Sequence, residues 1–178
     1  MNNTILKITK TILQACTYLC FLGIAVFLVT GIYYLFISDA GESNLIHLTE
    51  AGLVLSSDEV PSVIPVAHKT YIIIAFHVKA ILLFTVFAFL FKEGTKVINS
   101  IDSLDTFRTE NVRSFQRIGQ LFIALFLIHL LGLGYGGEQF RFTMRFEFVY
   151  LFCALFSYVL AEIFKEGNRL MEENKLTI

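Results

Sequence analysis

Tryptophan is absent from this chain of 178 residues, proline occurs only twice and cysteine three times. Without tryptophan, an aromatic belt at a membrane surface has to be supplied by tyrosine. Both prolines, Pro61 and Pro65, fall in one segment, where they break any regular element ahead of the apolar run that follows. Cys16, Cys20 and Cys153 all lie inside apolar runs and none has CxxC spacing, so they read as small core residues rather than a disulfide framework. Charge is scarce as well: charged residues make up 16% and the net charge is -1, which removes any bulk electrostatic attraction to nucleic acid. No serine–histidine–acid spacing, HExxH or paired carboxylate suggests catalysis. We therefore expect no enzyme, no catalytic residues, no cofactor and no metal.

What the chain has is apolar length. Hydrophobic residues make up 56%, far above an ordinary soluble domain. A helix needs roughly 20 predominantly apolar residues to cross about 30 Å of hydrocarbon. Ile12–Phe36, Tyr71–Phe91, Ile118–Tyr135 and Phe146–Phe164 reach or approach that length. Helix is the state expected for them, since an isolated strand would leave its backbone groups unsatisfied in lipid. The first run follows Lys7 and Lys10 like a signal peptide. It is too long for one, and no small-x-small site appears in Ser38-Asp39-Ala40-Gly41, so it reads as a retained anchor. The expected fold is a single all-α membrane domain of four transmembrane helices arranged as two hairpins, with an external loop 37–70 and a cytoplasmic loop 92–117.

Loop charge sets the expected orientation. Lys7 and Lys10 precede span one, Lys92, Lys96, Arg108, Arg113 and Arg117 lie between spans two and three, and Lys165, Arg169 and Lys175 follow span four. The other two loops hold only Lys69, Arg141 and Arg145, and the first of them is rich in acid. By the positive-inside rule both termini and the middle loop are cytoplasmic, in a bacterial inner membrane. Phe91-Lys92-Glu93-Gly94 ends the second apolar run and Phe164-Lys165-Glu166-Gly167 ends the fourth. A shared segment at two corresponding places points to a parallel internal repeat of two hairpins.

The segments outside the spans carry patterns of their own. Val97, Ile98, Ile101 and Leu104 recur at helical spacing after Gly94, an amphipathic cytoplasmic extension of span two. Thr109-Glu110-Asn111 can cap a helix running through Val112, Phe115 and Ile118 into span three, with Arg113, Gln116, Arg117 and Gln120 on its polar sides. Such a surface suits either a cytosolic partner or anionic headgroups. In the external loop, Leu45-Ile46-His47-Leu48 and Leu53-Val54-Leu55 suggest short strands about Ala51-Gly52. The glycines Gly132, Gly134, Gly136 and Gly137 do not form a phosphate loop, which would follow a strand and open a helix. They read as a turn at the outer end of span three.

Ionisable groups inside a membrane are costly and mark function by default. His77 and Lys79 in span two, His129 in span three and Glu147 at the start of span four form the candidate intramembrane polar cluster. Counted from Tyr71 and Tyr135, the two histidines lie at equal depth, about 9 Å below the outer interface. Three readings stand beside one another: two histidines ligating a haem, a His-Lys-Glu relay moving protons or substrate, and plain interhelical hydrogen bonding with a snorkelled lysine.

Two segments carry a resemblance. Phe107 with Thr109-Glu110-Asn111-Val112-Arg113-Ser114-Phe115-Gln116-Arg117-Ile118-Gly119 is one. Leu160-Ala161-Glu162-Ile163-Phe164-Lys165-Glu166-Gly167, continued by Leu170, Glu172-Glu173-Asn174 and Leu176-Thr177-Ile178, is the other. Both are similar to signatures of small bacterial four-span membrane proteins, the domain-of-unknown-function family numbered twenty-nine seventy-five. The resemblance runs from about Phe91 to Ile178, with Thr106 standing where the simplest pattern has proline. It implies a membrane partner of a Cro/CI-type helix-turn-helix regulator encoded alongside, and supplies no activity, cofactor or site residue. The expected function is accordingly a non-enzymatic regulatory membrane protein holding a cytosolic transcription regulator, without touching nucleic acid itself. Its expected partner surface is Lys92, Glu93, Arg113, Arg117, Lys165 and Glu166. The alternative is a small transporter or channel subunit using His77, Lys79, His129 and Glu147. Besides the lipid bilayer, the chain admits a second copy of itself as a partner.

Overall fold

The computed structural model describes residues 3–36, 66–102, 109–136, 139–144 and 146–175. Four helices account for nearly all of them: α1 (Asn3–Phe36), α2 (Val66–Asp102), α3 (Thr109–Leu130) and α4 (Phe148–Lys175). Between α3 and α4 lies a two-stranded antiparallel hairpin, β1 (Leu131–Gly136) and β2 (Gln139–Met144). The packed part of the molecule is all-α, as the apolar runs require. Among the described residues, three stretches are long and apolar enough to cross a membrane: Thr4–Phe36 in α1, Ile74–Ile101 in α2 and Phe148–Asn174 in α4. Each exceeds the roughly 20 residues that the hydrocarbon demands, so its end projects beyond it.

α1 packs on α2, α2 on α3, and α3 on α4. The outermost helices therefore have one extensive helical neighbour each. On α1 the covered residues include Leu13, Thr17, Cys20, Ile24, Phe27, Gly31 and Tyr34, which step by alternate threes and fours as in a knobs-into-holes seam, with Cys16, Gly23 and Thr30 beside them. The remaining surface of α1 and of α4 is exposed and apolar, with Tyr18, Phe36, Phe152 and Phe156 among the most open side chains. Water would penalise such a surface; lipid does not. Both hairpins are antiparallel and close at small residues. Leu13 meets Gly94, Phe84 lies over Gly23 and His77 over Gly31, while Tyr158 lies over Gly119.

Several sequence expectations need correction. Span three does not continue as helix to Tyr135. The helix ends at Leu130 and the next six residues are β1. The glycines of that segment are accordingly not a simple turn: Gly132, Gly134 and Gly136 are strand residues paired with β2. Glycine lowers helix stability by about 1 kcal/mol per residue, so three in six positions end the helix here. Span two starts earlier than Tyr71, because α2 begins at Val66, directly after Pro65. The suggested strands at 45–48 and 53–55 lie outside the described residues. The helical extension of span two is present: α2 runs through Gly94 to Asp102 without a break, with Val97 buried.

Candidate functional site

The two Phe-Lys-Glu-Gly segments meet at one end of the molecule, on consecutive residues of α3. Glu93 in the first copy accepts a 2.9 Å hydrogen bond from Ser114 Oγ. Phe164 in the second packs on Phe115, ring centroids 4.9 Å apart. Leu13 of α1 lies against Gly94, so all four helices converge at this end. It also carries most of the chain's lysine and arginine, and is called the basic end below.

Glu93 is the centre of the arrangement. It is buried although it follows Lys92, which is exposed. Its Oε1 faces Lys96 Nζ at 2.6 Å and Arg117 Nη1 at 3.3 Å, while Oε2 takes the Ser114 bond. A carboxylate removed from water is expensive unless paired and fully hydrogen-bonded. Here one cation comes from its own helix, the other cation and a hydroxyl from the next. Further out, Asn111 Nδ2 donates to Ser100 Oγ at 2.7 Å, with Asn111 almost wholly buried. Two polar clamps thus tie the end of α2 to the start of α3 across the short connection 103–108.

The second copy repeats the local chemistry without the burial. Glu166 pairs with Arg169 at 2.6 Å, the same three-residue step as Glu93 to Lys96, but both partners stay exposed. Lys165 pairs with Glu162 at 2.7 Å in the same exposed manner. Of the six residues expected to form a partner surface, Lys92, Arg113, Arg117, Lys165 and Glu166 are exposed. Glu93 is the correction: it is a structural anchor between helices and offers nothing to a partner directly. Ser114 and Asn111, which complete the clamps, were missed. Their polar identity on the otherwise apolar side of a capped helix was the available signal.

The four residues expected to form an intramembrane cluster separate into two places. His77 is buried, with Phe27, Phe76 and Tyr34 around its ring. Its Nε2 lies 3.2 Å from Thr30 Oγ1. That hydroxyl spends its only proton on the Val26 carbonyl at 2.9 Å, so His77 Nε2 is the donor to it. His129 is in the last turn of α3, with Nδ1 3.0 Å from the Leu125 carbonyl. A carbonyl only accepts, so Nδ1 carries the proton and Nε2 can accept from the Tyr150 hydroxyl at 3.5 Å. Glu147, exposed just ahead of α4, is the alternative acceptor for the single proton of that hydroxyl. His77 thus joins α1 to α2, whereas Tyr150 brings His129 and Glu147 together between α3 and α4. Lys79 is half-buried on α2. Equal depth of the two histidines does not hold, since the residues counted as helix from His129 to Tyr135 are mostly strand. Among the described residues no group of three or more His, Cys, Asp or Glu could hold a metal.

Residues 62–178 match the family described as Protein of unknown function (DUF2975). That is well over half of the chain, and the chain belongs to this family. The match takes in α2, α3, the β-hairpin and α4, and so both Phe-Lys-Glu-Gly segments and both clamps; α1 lies ahead of it. No curated protein and no solved structure matches the chain.

Proposed function

We propose that this member of the DUF2975 family is a non-enzymatic, multi-pass inner-membrane protein that holds a cytosolic helix-turn-helix transcription regulator at its basic end. The observation that supports it is the convergence on Ser114 and Phe115. Through Glu93 and Phe164 it brings Lys92 of α2, Arg113 of α3 and Lys165 of α4, all exposed, to one end of the molecule. The basic loop charges support a cytoplasmic position for that end and for both chain termini. In this reading α3 is a membrane helix too, its polar first third standing in the cytoplasm. The two hairpins form a parallel internal repeat, a reading supported by the matching Glu93–Lys96 and Glu166–Arg169 pairs.

The partner is recognised by charge at the rim and held in register by a rigid base. Glu93, Ser114, Asn111 and Ser100 supply that base by removing freedom between α2 and α3. The regulator would present an acidic face to the cations and keep its DNA-binding surface apart. Co-purification of the two proteins from detergent-solubilised membranes tests this. Association is expected with the unaltered chain and is expected to be lost when Lys92→Glu and Lys165→Glu are combined. Absence of association with the unaltered chain, or full retention after both charge reversals, would overturn it.

A further inference from the structure

Glu93 gathers more positive charge than it can neutralise. Lys96 Nζ and Arg117 Nη1 both close on the same oxygen, Oε1, at 2.6 and 3.3 Å, while Oε2 is taken by Ser114. Two cations therefore share one anion, and one positive charge is left over at this point. The carboxylate is buried, but the two cations are roughly half-exposed. An ammonium has three donors and a guanidinium five. Among the described residues, each cation is hydrogen-bonded to Glu93 alone, so most of those donors remain for a ligand.

The height of the pair along the helices is as specific as its charge. Arg117 directly precedes Ile118, where the apolar part of α3 begins, and Lys96 stands five residues past Phe91, the end of the apolar run in α2. In the bilayer reading both cations sit where hydrocarbon gives way to headgroups. Below them, each helix keeps one side open. Val78, Leu82, Phe89, Lys92 and Lys96 are exposed and fall within about a quarter-turn of one another around α2. On α3, Leu127, Gln120, Arg117 and Arg113 do the same, with Ile123 beside them. Both stripes run from apolar residues to cations toward the basic end. Because Lys96 and Arg117 meet on one carboxylate, the stripes open on the same side of the α2–α3 pair.

We propose that Lys96 and Arg117 form the headgroup site of an anionic phospholipid of the phosphatidylglycerol type, its phosphate between the two cations and an acyl chain along Phe89, Leu82 and Val78. One phosphodiester carries the single negative charge that the pair lacks. Guanidinium and ammonium both hold phosphate by charge-assisted hydrogen bonds, arginine in bidentate fashion. A zwitterionic headgroup brings a cation of its own beside the pair and gains less. Free phosphate satisfies the donors but leaves the apolar stripes unused. Glu93 fixes both cations before lipid arrives, so less side-chain freedom is lost on binding. The inference rests on the bilayer reading of the helices. It uses neither Lys92 nor Lys165, whose charge reversal tests the cytosolic partner.

The chain lacks tryptophan, so one introduced tryptophan reports without background. Phe89 precedes Lys96 by seven residues, about 10 Å along the helix, at acyl-chain depth below the site. Phe89→Trp is made in the full-length protein and placed in phosphatidylcholine–phosphatidylglycerol vesicles in which only one of the two lipids carries brominated chains. Phosphatidylglycerol is expected to quench it beyond its mole fraction, with a relative affinity of about fivefold, as one unbalanced cation at a membrane surface gives. Phe152→Trp, on the exposed face of α4, should be quenched by the two lipids alike. Lys96→Gln combined with Arg117→Gln is expected to remove the excess at Phe89→Trp while quenching by brominated phosphatidylcholine shows the chain still inserted. Should the double substitution prevent insertion, Lys96→Gln alone, which leaves Arg117 and Ser114 on Glu93, is read in its place and should lower the excess. Four results would each overturn the proposal: no excess at Phe89→Trp, an equal excess at Phe152→Trp, an excess that survives these substitutions, or its removal by inorganic phosphate at constant ionic strength, which would make free phosphate the ligand. Phe152→Trp unquenched by either lipid would overturn the bilayer reading, and the proposal with it.

Discussion

Glu93 of α2 and Ser114 of α3 share a 2.9 Å hydrogen bond with both residues buried, and Lys96 and Arg117 close on the same carboxylate. Its counterpart in the second copy, Glu166, makes the same local pair in the open. The contrast separates what a repeated sequence segment does alone from what its neighbours make of it.

Glu93→Ala leaves Ser114 buried without its acceptor and removes the tie between α2 and α3. An unsatisfied buried group costs about 1–3 kcal/mol. The cations add less, because Lys96 and Arg117 are roughly half exposed and regain water. Glu166→Ala should cost below about 1 kcal/mol, as for any exposed pair. Thermal unfolding in detergent of the two variants checks the difference, and equal shifts would contradict the burial of Glu93.

The outer clamp makes a separate prediction. Asn111→Ala removes a nearly fully buried amide from Ser100 and is expected to destabilise by about 1–3 kcal/mol. Ser100→Ala should cost a similar amount, and the double variant less than the sum of the two, since both act through one bond. A double-mutant cycle on unfolding free energies reads the coupling directly.

At Gly119 the close approach of Tyr158 leaves no room for a side chain: a Cβ there would lie 2.9 Å from the Tyr158 ring. Gly119→Leu is expected to force α3 from α4 and to destabilise by about 1–3 kcal/mol despite its better helix propensity. Tyr158→Ala in the same chain should recover much of the loss. Failure of that rescue in unfolding experiments would mean that the two helices do not meet at this pair.

The histidines should differ in weight. Tyr150→Phe removes one hydroxyl proton, which goes either to His129 over a long contact or to the exposed Glu147, a loss of about 0.6 kcal/mol within a membrane bundle. His77→Ala empties a buried ring site lined by Phe27, Phe76 and Tyr34 and also breaks the bond to Thr30. Its loss of stability should therefore be clearly the larger, measured by the same unfolding assay. A smaller effect for His77→Ala would place that side chain outside the α1–α2 interface.

Much of the helical framework was legible because its signals are local. Apolar length marks α1, α2 and α4, and helical spacing of Val97, Ile98 and Ile101 marks the extension of α2. The end of α3 was not legible by hydropathy, since leucine, tyrosine and glycine from Leu131 to Gly136 are as acceptable to an apolar count as a helix would be. The period-two alternation of glycine with larger residues was the signal for a strand. The histidine depth failed for the same reason, being counted along a helix that had already ended.

The sequence by itself determined that long helices form, that a cap at Thr109 opens α3, that prolines break the chain ahead of α2, and that one segment recurs at the ends of two apolar runs. Those follow from hydrophobic length, proline position and residue spacing, all read along one chain. Only the tertiary structure decided that Glu93 is an interior anchor and Glu166 a surface residue. α2 packs extensively on both α1 and α3, whereas α4 packs extensively on α3. Burial belongs to the neighbours a residue acquires, and identical segments at the middle and edge of a row of helices acquire different ones.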